Sequence, residues 1–340
     1  MDNVCHTLVG AALGEAGLKR TTRFGTAALV IASNLPDVDV LVFATDTPSV
    51  AFRRGWTHGI AAQLLLPVLF TGVLWLVGRG RARDSDSSPP FHAGRLLAIS
   101  YLGVFLHVWL DYLNTYGVRL LSPVDWRWFY GDAVFIIDPW LWLVLGAGVW
   151  LARRRSTQMP SRVALVTATC YIAVMLIAAR SARGIVEEGW TRDHGAPPQA
   201  VMVGPRPLAF TRDVIIDAGS HYESGTFTWP SSVALSPERI PKNDDRPEVA
   251  VAREAANVRG FLVWSRFPFW QLEPADGGTR VTVADARFMG RGGLFTASTI
   301  VTPGQVINRG GAPRPGRGAR RAWREESMPP WSPPAGRGPP

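Results

Sequence analysis

Cysteine is nearly absent. Cys5 and Cys170 are the only two in 340 residues, which excludes a disulfide framework and a CxxC metal site. A cleavable leader is not expected, because the opening MDNVCHTLVGAALGEAGLKR lacks a basic n-region. The first spanning helix would then serve as an uncleaved signal. Acidic residues are scarce at the far end: from Pro303 to Pro340 seven arginines face only Glu325 and Glu326. Much of the remaining positive charge lies in loops beside apolar segments, where Lys and Arg set membrane orientation. That placement argues against a nucleic-acid partner, despite a net charge of +9. No internal repeat is present.

What the chain does have is long apolar runs, hidden by a mean hydropathy of only +0.07. Up to about residue 180 such runs alternate with short polar loops; beyond it the sequence is polar and rich in Pro and Gly. Ile60 to Gly78 holds 19 residues without a charge, close to the ~20 that a spanning helix needs. Further spans are expected over Leu96–Leu113, Val134–Ala152 and Val163–Ala179. Residues 3–17 predict a short helix capped by Asp2 or Asn3. Residues 21–33 predict another, ending by Asn34 because Pro36 follows. Val38–Ala44 reads as a re-entrant piece.

The basic loops 79–95 and 153–162 fall on one side, which the positive-inside rule makes cytoplasmic. Loop 114–133 and the C-terminal region would be extracytoplasmic. In residues 200–302 the segments 213–217, 225–229, 261–264 (FLVW) and 279–284 carry the β-branched and aromatic content of strands. The fold class expected is mainly α: a polytopic helical bundle of about four spans plus short N-terminal helices (1–182), a small β-rich soluble domain (183–302), and a disordered Pro/Gly/Arg-rich tail (303–340).

An ionisable residue inside a span is costly and points to function. His107 and Asp111 are four apart in one apolar run and share a helix face, where they can ligate one metal ion together or simply pair. Asn34-Leu-Pro-Asp37-Val-Asp39 places two carboxylates just after a helix end, either as oxygen ligands or as a solvated turn. In Arg53-Arg54-Gly55-Trp56-Thr57-His58 the imidazole stands at a membrane entry. His6 sits on a short apolar helix, where a satisfied core histidine is the commoner case. Asp138 opens a helix, as a cap, an added ligand or a base. Trp126, Trp128, Phe129, Tyr130, Trp140 and Trp142 resemble an interfacial aromatic belt. His58, Asp111 and Asp138 all fall at the same membrane face.

At these residues the sequence resembles a family of bacterial inner-membrane proteins of the YdjM type, assigned as metal-dependent hydrolases. The marks are His6-Thr7, Leu35-Pro-Asp-Val-Asp39, Arg54-Gly-Trp-Thr-His58, His107-x-x-x-Asp111 with Asn114-Thr-Tyr-Gly117, Leu121-Ser-Pro123 and Phe135-Ile-Ile-Asp138-Pro139. The resemblance covers roughly residues 1–150. It implies His6, Asp37, Asp39, His58, His107 and Asp111 as metal-binding or catalytic residues, and Asp138 more weakly. The family's usual His-Arg-Gly reads Arg53-Arg54-Gly55 here, so position 53 drops out of the ligand set. The activity is itself inferred from these residues and names no substrate.

The resulting expectation is metal-assisted hydrolysis at the membrane interface. Three histidines with several carboxylates suit zinc and are compatible with manganese or iron, as one ion or two. Asp39 or Asp138 would act as general base. Arg53, Arg54 or Arg119 would hold an anionic group, and the location favours an amphiphilic or lipid-linked substrate such as a phosphoester. One rival is a non-enzymatic membrane protein with a structural metal or His/Asp site and a partner-binding β domain. Another is a transporter, weakened because the candidate residues gather at one face.

Overall fold

The computed structural model describes residues 1–44, 49–79, 89–291 and 295–307. Helix α1 (Asn3–Glu15) starts at Asp2, whose Oδ1 accepts from the amides of Val4 and Cys5. Helix α2 (Gly25–Ala32) ends where Pro36 approaches, and the chain bends 45° into a 3-10 helix, Leu35–Ala44. A single turn, α3 (Ser49–Phe52), leads to α4 (Ile60–Arg79) and α5 (Ala93–Tyr112), which pack side by side. Helices α6 (Pro139–Arg154) and α7 (Met159–His194) pair in turn, with α1 lodged against both.

Close approach in this bundle depends on missing side chains. A Cβ on Gly103 of α5 would lie 2.8 Å from the Cβ of Ala32 and 3.1 Å from the Ser33 amide. The absence of one lets the end of α2 touch α5 beside His107. Small residues commonly serve this purpose between membrane helices.

Helices α4, α5 and α7 are long and apolar enough to cross a membrane, and α2 with the following 3-10 helix is a bent fourth candidate. The span expected over 134–152 is shorter than the sequence suggests. Asp138 caps α6 and Pro139 takes its first position, so residues 134–138 are not helical. Sixteen residues rise only about 24 Å, short of a ~30 Å hydrocarbon core. Helix α7 runs without a break through residue 182, where the polarity of the sequence changes. Its outer half carries Ala182, Val186 and Trp190 beneath the β domain.

Strands β1 (Ala200–Pro205), β2 (Thr211–Asp217), β3 (His221–Thr228) and β4 (Ser232–Pro241) form an antiparallel meander. Val201 and Val203 of β1 face α7, while Met202 faces Phe267 and Phe269, the period-two alternation of a strand covered on both sides. Helices α8 (Pro247–Ala252) and α9 (Ala256–Trp264) cover a second sheet of β5 (Pro268–Ala275), β6 (Gly278–Asp285) and β7 (Thr296–Val301). A short α10 (Pro303–Ile307) follows.

The expected strands at 213–217, 225–229 and 279–284 fall in β2, β3 and β6, with Trp229 just beyond β3. FLVW at 261–264 is instead the end of α9. Val258, Phe261 and Trp264 are buried there at a spacing of three, so the helical period governs and the four-residue window is too short to reveal it. The disordered tail is expected from residue 303; Pro303–Ile307 form α10 instead, and the chain from residue 308 lies outside the described residues.

The β domain sits on the loop that follows α5. Trp264 Nε1 donates to the Tyr116 carbonyl at 3.0 Å, Trp128 Nε1 to the Val263 carbonyl at 2.7 Å, and Arg287 Nη1 to the Thr115 carbonyl at 2.6 Å. Part of the expected aromatic belt is therefore domain interface.

Candidate metal centre

Four side chains from three separate stretches meet at one end of the bundle: Asp37 from the 3-10 helix, His58 from the turn before α4, and His107 and Asp111 from α5. One ligating atom from each lies within 4.8 Å of all the others. His58 Nε2 is 3.2 Å from His107 Nε2 and 3.2 Å from Asp111 Oδ2. His107 Nε2 is 3.7 Å from Asp111 Oδ2 and 3.8 Å from Asp37 Oδ1, and His58 Nε2 is 4.0 Å from Asp37 Oδ1.

The ring nitrogens behind these atoms are held. His107 Nδ1 lies 2.8 Å from the Ser33 carbonyl, which can only accept, so the proton is on Nδ1 and the Nε2 lone pair points into the cluster. His58 Nδ1 meets Thr57 Oγ1 at 2.9 Å, and Thr57 donates to Asp39 Oδ2 at 3.0 Å. Such carboxylate and carbonyl partners behind ligating imidazoles are the usual support of a metal site.

Two imidazole nitrogens and two carboxylate oxygens thus converge with their acceptor sides together. Repulsion between them is relieved by a cation. A tetrahedral ion with bonds of ~2.1 Å separates its ligand atoms by roughly 3.4 Å, within the range of the contacts above. The His6 ring lies against the cluster, and its Nδ1 is buried with no hydrogen-bond partner among the described residues; buried polar atoms of that kind normally contact an ion or water. The donor set fits a divalent metal.

Asp39 and His6 occupy the next layer. Asp39 accepts from the Arg54 amide at 2.8 Å and stands 3.6 Å from His58 Nδ1, on the far side of that ring from the cluster. His6 Nε2 lies 3.3 Å from Asp111 Oδ1, and its ring stacks on His107 at 3.8 Å. Two arginines complete the surround. Arg53 reaches Asp37 and Asp39 at 3.3 and 3.4 Å. Arg54 clamps Asp111 through Nε and Nη2 at 2.8 and 3.0 Å, with Nη1 on Asn114 Oδ1 at 3.0 Å and its plane 4.7 Å from the Tyr116 ring. The Met1 amino group also meets Asp111.

Asp138 is elsewhere. Its Oδ1 caps α6 through the amides of Trp140 and Leu141, and its Oδ2 accepts from Tyr171 Oη at 2.9 Å. Replacing Asp138 with Ala should cost about 1 kcal/mol through loss of the cap and leave bound metal unchanged. Metal lost from an otherwise folded Asp138→Ala protein would contradict this placement.

Sequence reasoning missed Ser33, Asn114 and Tyr116 as parts of the site. Asn114 and Tyr116 do lie in the Asn-Thr-Tyr-Gly motif. Ser33 acts through its carbonyl, which every residue possesses, and left no signal.

Comparison with known proteins agrees with the geometry. Residues 1–182 match the YdjM inner membrane protein family, and the chain belongs to that family. It is a multi-pass inner-membrane protein. It is also similar to an uncharacterized protein, YfhP, of Bacillus subtilis (strain 168), with 21% identity over 309 residues covering 86% of this chain and 88% of that one. No solved structure matches the chain.

Proposed function

We propose that this protein is a metal-dependent hydrolase working at the membrane interface, with Asp37, His58, His107 and Asp111 as the ligands of a divalent ion, zinc before manganese or iron. The observation that supports it most is the convergence of two imidazole lone pairs on two carboxylates, with the His107 proton fixed on the opposite nitrogen by Ser33. A divalent ion in such a set lowers the pKa of bound water toward ~7 and polarises a phosphoryl or carbonyl oxygen.

The chain's own groups supply the rest. Ser33 and Thr57 hold the two imidazoles in their tautomers, and Arg54 fixes the Asp111 carboxylate. Asp37 is the one ligand candidate with any exposed side-chain surface, 8% against 0% for the other three. The half-buried Arg53 lies beside it, so substrate approaches on the Asp37–Arg53 side. Asp37 is also the carboxylate best placed to take a proton from an attacking water. Asp39, bound to Thr57 and the Arg54 amide, positions His58. An amphiphilic or lipid-linked phosphoester is the substrate class this location favours, and membrane lipid is the surrounding partner. If the basic loops 79–95 and 153–162 face the cytoplasm, the site and the β domain would lie on the extracytoplasmic side.

A second reading has one observation behind it: Asp111 is already neutralised by Arg54. On that reading the cluster is structural and the β domain binds a partner. Elemental mass spectrometry on detergent-purified protein separates the two. Stoichiometric metal that disappears in His107→Ala, together with phosphoesterase turnover, is the expected result. Metal-free, folded wild type would remove the hydrolase reading.

A further inference from the structure

Arg53, Arg54, Arg127, Arg266 and Arg287 surround the site or the loop above it, and each is ion-paired with an aspartate. Arg119 differs. Its guanidinium lies 5.2 Å from the Trp126 ring and 4.8 Å from the Trp128 ring. Among the described residues its side chain makes no ion pair, and its Nε is buried without a hydrogen-bond partner. Burial draws its pKa down to about 10, the direction expected of a cation removed from water without a nearby carboxylate.

The Arg119 backbone is tied to the stretch that carries His58. Its amide donates to the Arg54 carbonyl at 3.0 Å, and its Cδ and Nη1 pass 3.8 and 3.9 Å from where a Cβ on Gly55 would be. Gly55 lies three residues before His58. On the outer side Trp56 meets Trp126 edge-on at 4.8 Å, and Trp56, Leu121 and Val124 are exposed, an apolar rim suited to the membrane boundary. Two indole faces stabilise the cation without neutralising it.

We propose that Arg119, held between Trp126 and Trp128, is an anion subsite that takes the phosphate group of an amphiphile next to the metal centre. A guanidinium can bind a phosphate through two parallel N–H donors. The exposed Trp and aliphatic rim accommodates the apolar part of the same molecule. This assigns the substrate's anionic group and rests on the hydrolase reading for its catalytic meaning, though the binding step does not require metal.

The test is isothermal titration calorimetry of full-length protein in maltoside micelles, with inorganic phosphate and dodecyl phosphate as probes. Wild type and His107→Ala are each compared with and without Arg119→Gln, and Arg119→Lys serves as the charge-retaining variant. Dodecyl phosphate should bind both backgrounds, weaken roughly tenfold to a hundredfold in Arg119→Gln and less in Arg119→Lys, while bound metal is retained in the Arg119 variants. Preference for dodecyl phosphate over inorganic phosphate assigns a lipid source; equal binding assigns a free oxyanion. Binding unaffected by Arg119→Gln, binding seen only when His107 is intact, or no binding of either probe to wild type would overturn the proposal. Metal content in wild type and His107→Ala reports on the hydrolase reading separately.

Discussion

Asp111→Asn should abolish stoichiometric metal binding and destabilise the membrane domain by about 3–5 kcal/mol, the scale for leaving one partner of a buried ion pair unmatched. The asparagine keeps the shape and loses the charge. Arg54, 5% exposed, would then be a buried cation without its carboxylate, and His6 Nε2 would lose its carboxylate partner. The two effects have different causes and can be separated. Adding Arg54→Met to Asp111→Asn removes the stranded cation and should recover much of the lost stability. It should not recover metal, because the ligand is still missing. Thermal unfolding in detergent and elemental analysis of the four proteins of this cycle provide both readouts. Full metal content in Asp111→Asn would remove Asp111 from the ligand set. A double variant no more stable than the single one would mean that Arg54 is not the origin of the cost.

The parts of this architecture that were readable in the sequence share a physical origin. A 19-residue stretch without charge at 60–78 has few alternatives to a span, and it became α4. His107 and Asp111 stood out because ionisable groups are rare in such runs, and both are buried in the cluster. Asp37 and His58 gained weight only as members of an ordered motif set. What escaped was non-local. The start of α6 depends on Asp138 serving as a cap, which a hydropathy window ignores. The helical state of FLVW is set by residues N-terminal to it. The polarity change near 182 falls within α7, which continues to His194 and packs Val186 and Trp190 against the β domain. Three arginines, Arg53, Arg54 and Arg119, were equal candidates for holding an anion until the structure showed aspartates on the first two.

Asp285→Asn is expected to loosen the β domain without touching the metal site. The Asp285 carboxylate accepts from Ser265 Oγ at 2.8 Å, from the amides of Arg266, Phe267 and Arg287, and from the Arg287 guanidinium at 2.8 and 2.9 Å. Burial alone would raise its pKa, but the charge and hydrogen bonds of Arg287 outweigh burial and hold it at about 2. A shift from the unfolded value of ~3.9 corresponds to roughly 2–3 kcal/mol. Because the folded pKa is the lower one, this contribution is fully present above pH ~5 and is lost as the pH falls through ~2. Removing the carboxylate also strands Arg287, which reaches across to the Thr115 carbonyl and lies 4.7 Å from the Trp264 ring. Near neutral pH the loss should therefore approach 3–5 kcal/mol, a fall in Tm on the order of 10 °C for a domain of this size. The gap between wild type and variant should narrow between pH 5 and pH 2.5, as protonation does to the wild type what the substitution has already done. Bound metal should remain stoichiometric in the variant, because all four donors lie between residues 37 and 111. Differential scanning fluorimetry across that pH range, with elemental analysis at pH 7, measures both. An unchanged Tm at neutral pH, or a gap that stays constant down to pH 2.5, would show that the Asp285–Arg287 pair does not hold the domain. Loss of metal would show instead that its contact at Thr115 reaches, through Asn114 and Arg54, to Asp111.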